Sequence, residues 1–159
     1  MVQDLPDVVE QGRASLPKTS YAERISFEPH NCFHEQKTIA DAYLLRQILH
    51  DWPDEDAERI VRNIVPAMRP GARLLIMDIV VPQPGAISQY MEKYLRVYDI
   101  SMFSMFSAKE RTLQQLCELV GRCDTRLRFE GVNCPPGSAA SMLSWVYVAD
   151  SAVQSCVGG

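Results

Sequence analysis

His50 is the first residue in this sequence whose type and position suggest chemistry. It directly follows the apolar run AYLLRQIL and opens the block His50-Asp51-Trp52-Pro53-Asp54-Glu55. Open α/β sheets hold their ligands at the carboxyl ends of strands. An imidazole titrates near neutrality, so a histidine at such an end suits general base catalysis. Taken alone, a histidine at a strand end is more often structural than catalytic. Asp51 reads as the N-cap of the next helix and Trp52 as a core anchor.

Two carboxylates are candidates to serve that histidine. Asp78 interrupts the run RLLIMDIVV, and a carboxylate inside a buried strand is costly unless it finds a partner. Adjacent parallel strands would bring it close to His50, where it could orient the ring. Glu110, in Ser107-Ala108-Lys109-Glu110-Arg111-Thr112, is the second candidate, although its spacing also fits a solvated charge before a helix. His30-Asn31-Cys32-Phe33-His34 places possible metal ligands at alternate positions, but the spacing fits no common zinc pattern, and no metal is expected. The 8 glycines include no G-x-G-x-x-G, so no phosphate-cradling loop is present in these residues. That absence weighs against a nicotinamide-dependent reductase, as does a Tyr90–Lys93 pair that is one residue short of Tyr-x-x-x-Lys.

The elements that must position these side chains follow from periodicity. Residues 25–29 form a short β-like run, and residues 42–49 and 73–81 read as strands buried on both faces. Between those two strands, Ala57, Ile60, Val61, Ile64 and Met68 recur at helical spacing. The first turn of that helix is acidic (Asp54, Glu55, Asp56), Pro66 ends its regular part, and Arg69 with Gly71 closes it. Strand, helix and strand make a βαβ unit, so the sheet should be parallel at this point. A longer helix over 88–106 carries Met91, Leu95, Tyr98, Met102 and Met105 along one side. That stripe reads as core, though methionine also lines sites for flat aromatic ligands. Thr112 with Gln115 forms a capping box for a further helix. Residues 127–134 and 142–149 read as an antiparallel hairpin at the sheet edge, turning at Pro135-Pro136-Gly137. The fold class is therefore α/β, with no internal repeat. Residues 150–159 read as a flexible tail.

Composition narrows the function. With 16 basic and 20 acidic residues, a net charge of −4 and a pI near 5.4, the chain lacks the basic excess of a nucleic-acid groove, and no nucleic-acid partner is expected. No run approaches the roughly 18 apolar residues of a membrane span. The acidic start Met1-Val2-Gln3-Asp4 lacks a signal-peptide core. The 5 cysteines show no C-x-x-C pair and read as reduced thiols, so a cytoplasmic location is expected.

The stretch LLRQILHDWPDEDAERIVRNIVPAMRPGARLLIMD, with Asp4-Leu5-Pro6-Asp7-Val8-Val9 upstream and AKERT and CPPGSA downstream, resembles the S-adenosylmethionine-dependent O-methyltransferases of the caffeate O-methyltransferase-like family. The likeness is strongest to fungal members of secondary metabolism and covers residues 1–149. H-D-W-P-D followed by the P-G turn and AKER is specific in combination.

The resemblance implies that His50 deprotonates a substrate hydroxyl while Asp78 and Glu110 hold its ring. It also implies that Asp4 binds the cofactor ribose, that Asn31 and Cys32 lie near the adenine, and that Arg46 stands near the cofactor site. The implied fold is a Rossmann-like methyltransferase sheet with helices on both faces. Residues 1–149 would form the C-terminal part of the catalytic domain. Relative to the family, this sequence lacks the first strand with its Gly-rich loop and the N-terminal helical dimerisation domain. The implied reaction is methyl transfer from S-adenosyl-L-methionine to a phenolic or polyketide-type hydroxyl on a small aromatic substrate, by a full-length homodimer, with no metal. The alternative expectation is a truncated, non-catalytic remnant that binds a small molecule or a partner.

Overall fold

The structure, a computed structural model, describes residues 1–16, 21–135 and 138–149. The expected tail at 150–159 and two residues of the Pro135-Pro136-Gly137 turn lie outside the described residues. Strand β1 (Val2–Asp4) leads through Leu5 into helix α1 (Pro6–Ser15), with proline in its first turn, where a missing N–H costs nothing. Strand β2 (Phe27–Pro29) then lies parallel to β1 in a two-stranded sheet. Gly12 allows α1 to approach this pair closely. A Cβ at that position would stand 2.6 Å from Cε1 of Phe27.

The larger sheet contains β3 (Ala42–Arg46), β4 (Arg73–Val81), β6 (Leu127–Asn133) and β7 (Ala140–Tyr147) in the order β3-β4-β7-β6. The short β5 (Arg111–Thr112) is added beside β4. β3 and β5 pair with β4 in parallel, while β7 runs antiparallel to both β4 and β6. The expected βαβ unit and closing hairpin are both present. Helix α2 (Asp54–Ile64) joins β3 to β4, and its Ala57, Ile60, Val61 and Ile64 are all buried. Beyond Ile64 the chain tightens into a 3₁₀ turn over Val65–Ala67, because Pro66 cannot continue the α-helical hydrogen-bond ladder.

The core lies between the sheet and two helices, α2 and α4 (Leu113–Cys123). It comprises Leu74, Ile76, Leu143 and Trp145 from the strands, with Ile60, Leu116 and Leu119 from the helices. The capping box of α4 forms as expected. Thr112 Oγ1 accepts the Gln115 N–H at 3.2 Å, and Gln115 Oε1 accepts the Thr112 N–H at 2.9 Å. Thr112→Ala is expected to cost about 1 kcal/mol, read as a lower denaturant midpoint at unchanged slope.

Three expectations are corrected. The strand expected over 42–49 stops at Arg46, because Gln47 takes a left-handed φ of 52° and turns the chain out of the sheet. That strand is also not buried on both faces. Among the described residues β3 is an edge strand paired only with β4, and Leu44 is 52% exposed. The third concerns helix α3 (Gln89–Phe106), which buries only Leu95 and Met102 of its expected apolar stripe, leaving Met91 and Met105 exposed. Among the described residues, no helix is long and apolar enough to cross a membrane.

Candidate active site

After β3, the left-handed Gln47 donates its N–H to the Met77 carbonyl at 2.9 Å. The chain then closes a 3₁₀ turn over Leu49–Asp51. Leu49 is fully buried and pins this turn to the core, which brings the neighbouring His50 inside as well. His50 thus sits on a turn four residues past the strand end, not on the strand itself.

Glu110 approaches from the opposite side. It follows the left-handed Ser107 that caps α3, and its N–H donates to Asp99 Oδ1 on α3 at 2.9 Å. Its carboxylate, 1% exposed, lies 2.9 Å from His50 Nδ1. A carboxylate at that distance accepts a hydrogen bond from Nδ1–H, and in the neutral ring this leaves the lone pair on Nε2. Nε2 itself lies 3.4 Å from Asp51 Oδ1. Asp51 is therefore not the helix cap that was expected. The N-cap of α2 is Pro53, with no side-chain cap bond, and Asp51 faces the imidazole.

Asp78, on β4 and 3% exposed, acts on His50 through its charge and makes no hydrogen bond to it. Burial pushes its carboxyl up to about 6, against the pull of a His50 charge and with the push of Glu110. Among the described residues, Asp78 Oδ1 and Glu110 Oε2 are buried without a hydrogen-bond partner. For His50, the Glu110 hydrogen bond raises the imidazole pKa, burial opposes this, and the charges of Glu110, Asp78 and Asp51 add to the rise. The cluster amounts to a base whose protonated form is stabilised by three carboxylates.

A second group gathers at the carboxyl ends of β1 and β2. Asp4 ends β1 and is exposed, with one oxygen accepting the Leu5 N–H at 2.8 Å, and its carbonyl accepts the His30 N–H at 2.8 Å. Asn31 Oδ1 accepts the Phe33 N–H at 2.9 Å, leaving its NH2 as a donor. Burial raises the pKa of the Cys32 thiol, and the Asp4 charge adds to the rise. The two groups are joined by neighbouring rings: Phe33 meets Trp52 edge-on, with centroids 4.6 Å apart. Arg46 stands exposed at the end of β3, apart from both groups in the hydrogen bonds and ion pairs of the described residues. His34 turns back on Asn31 through its N–H, at 2.8 Å from the carbonyl. Among the described residues, no group of three or more His, Cys, Asp or Glu is placed to hold a metal ion.

Sequence reasoning did not single out Arg111, Asp54 or Asp99. Burial works against the Asp54 carboxylate, yet hydrogen bonds from Lys109 and Arg111 hold it below the usual range. The available signal was the position of Arg111 in Lys109-Glu110-Arg111, next to a residue already under suspicion.

Comparison with known proteins places the chain among O-methyltransferases. The family model for the O-methyltransferase domain matches residues 1–124. O-methyltransferase FrzF of a Cladobotryum species is 74% identical over 149 residues, which are 94% of this chain and 35% of that protein. The 6-hydroxytryprostatin B O-methyltransferase of Aspergillus fumigatus is 56% identical over 91% of this chain and 42% of its own length. The solved structure of LepI in complex with SAM matches with a TM-score of 0.78 and 32% identity, over 92% of this chain and 35% of that one. The chain thus spans between a third and a half of the length of these proteins.

Proposed function

The chain belongs to the O-methyltransferase domain family, and from that premise we propose that it carries the base of an S-adenosylmethionine-dependent O-methyltransferase acting on a phenolic or polyketide-type hydroxyl. The buried 2.9 Å contact between His50 Nδ1 and Glu110 Oε1 carries this reading. It fixes one tautomer and leaves Nε2 as the proton acceptor. A phenol titrates near 10 and attacks poorly while neutral, so a positioned base contributes about 10²–10⁴-fold. The imidazolium that forms is stabilised by Glu110 through the hydrogen bond and by Asp78 and Asp51 through charge.

The residues at the ends of β1, β2 and β3 fit S-adenosylmethionine. Asp4 offers an exposed carboxylate suited to a ribose diol, and Asn31 an amide donor suited to an adenine nitrogen beside Cys32. Arg46 offers an exposed cation suited to a carboxylate. When bound, the cofactor supplies an electrophilic methyl group on a sulfonium, and no metal is needed.

We extend the reading to a small hydroxylated aromatic substrate, a cytoplasmic location and a homodimer. The free thiols of Cys32, Cys117, Cys123 and Cys134 support a reducing compartment. Val97, Ile100 and Phe103 of α3, exposed by 55%, 65% and 70%, support an interface. The test is incubation of the protein with methyl-labelled S-adenosylmethionine and 6-hydroxytryprostatin B, the acceptor named for a relative 56% identical to this chain, beside a panel of phenols. Label in the oxygen-methylated product is expected. Cofactor binding by calorimetry, with no label entering any hydroxyl, would replace the enzyme reading by one of a binding module.

A further inference from the structure

We propose that Arg111 is a positioning residue for the base: its guanidinium grips the backbone on both sides of His50 and so holds the turn in register with Glu110. The inference rests on the reading of His50 as the proton acceptor. Arg111 has a side chain 2% exposed. Its Nη1 donates to the Leu49 carbonyl at 2.7 Å and its Nη2 to the Trp52 carbonyl at 2.8 Å. Those two carbonyls bracket His50-Asp51. The third edge of the fork, Nε, donates to Asp54 Oδ1 at 2.9 Å. Asp54 Oδ2 accepts from Lys109 Nζ at 2.8 Å, so both oxygens of one carboxylate are held by the 109–111 segment.

The economy of this arrangement lies in adjacency. Glu110 and Arg111 are consecutive, and Arg111 is locked to β4 by the Val80–Arg111 pairing. One side chain takes the ring of His50 and the next takes the main chain that carries it. A 3₁₀ turn entered through a left-handed Gln47 has few hydrogen bonds of its own. It contributes the Asp51 N–H to the Ile48 carbonyl at 3.2 Å and the Trp52 N–H to the Leu49 carbonyl at 3.3 Å. Without the guanidinium the turn can slide relative to Glu110, and a displacement of about 1 Å in a catalytic group costs on the order of 10²-fold. Lysine cannot substitute, because its ammonium lacks the planar fork that reaches two carbonyls and a carboxylate together.

The test compares Arg111→Lys and Asp54→Asn with the unaltered protein, and repeats both in a His50→Gln background. A fall in kcat of about 10–100-fold is expected, with KM for S-adenosylmethionine within about twofold. In the His50→Gln background the same changes should alter the residual rate by less than about twofold, because effects routed through one residue are not additive. A purely structural arginine would give the same loss in both backgrounds, and that result overturns the proposal. The His50 imidazole, followed by NMR, provides a readout independent of turnover. Its titration should move down toward 6.5 in Asp54→Asn, since Asp54 is not among the charges that raise it directly; those are Glu110, Asp78 and Asp51. If the unaltered protein transfers no methyl group, the functional reading fails and the NMR titration still decides the positioning claim. If Arg111→Lys does not fold, the half-exposed Asp54→Asn decides it, and an unmoved titration there refutes it.

Discussion

Replacing His50 by Gln is expected to lower methyl transfer about 10²–10⁴-fold while leaving the affinity for S-adenosylmethionine within about twofold. Gln keeps the polarity and approximate size of the side chain, so the buried contact with Glu110 persists as a hydrogen bond. What it removes is the basic nitrogen. The loss should therefore fall on kcat, with little change in KM. The pH dependence carries further information. His50 has its pKa raised above 6.5, first by the Glu110 hydrogen bond, against burial, and then by the charges of Glu110, Asp78 and Asp51. Below that raised value the ring is protonated and Nε2 cannot accept a proton, so the rate should climb as pH rises through it and then level off. In Glu110→Gln the main cause of the rise is removed while burial remains, so the climb should begin at lower pH. The plateau should also be lower, because the amide no longer selects the tautomer that frees Nε2. A rate profile of kcat/KM against pH for the three proteins checks this. A His50→Gln variant as fast as the unaltered protein would remove the base from the proposed mechanism.

How much of this was legible in the sequence depended on the range of the interactions involved. Helix α2 could be read because its apolar positions recur at helical spacing, its first turn is acidic and its end is marked by Pro66, all of which are local. The capping box at Thr112 is a four-residue pattern and was equally readable. The end of β3 was not, since AYLLRQIL remains apolar past Arg46 and only a left-handed Gln47, which composition does not announce, breaks it. The helix α3 stripe misled for a related reason. Periodicity shows that one side is apolar, but not whether other residues of the chain cover it, and Met91 and Met105 at its two ends stay exposed. The site shows the same division. His50, Asp78 and Glu110 could be named from residue type and resemblance. Which carboxylate holds the ring could not, because it depends on contact across 60 residues, and there the structure gives the hydrogen bond to Glu110. The Arg111 grip on the Leu49 and Trp52 carbonyls was invisible for a stronger reason: main-chain acceptors have no residue type to read.

Asp78→Asn is expected to stabilise the protein at pH 8 by up to about 3 kcal/mol and to slow it. Asp78 is 3% exposed, one of its oxygens lacks a hydrogen-bond partner, and burial pushes its carboxyl from 3.8 up to about 6. At about 1.4 kcal/mol per pH unit, that rise is the free energy by which the fold disfavours the charged form. A carboxyl raised in this way contributes stability that is complete below 3.8 and lost as pH rises through about 6. The amide has no charge to bury, so its advantage over the carboxylate should be full at pH 8 and should disappear near pH 4. Urea unfolding of both proteins at the two pH values checks this, and an equal difference at both would refute the account. The catalytic cost has the same origin. The charge that strains the folded state is one of those raising the His50 pKa, so removing it weakens the base and withdraws support from the imidazolium formed in the reaction. A carboxylate kept where it destabilises the fold, in reach of the base it serves, fits a trade of stability for activity. If Asp78→Asn gained stability with no loss of rate, Asp78 would be a bystander and Glu110 with Asp51 would suffice for the imidazolium.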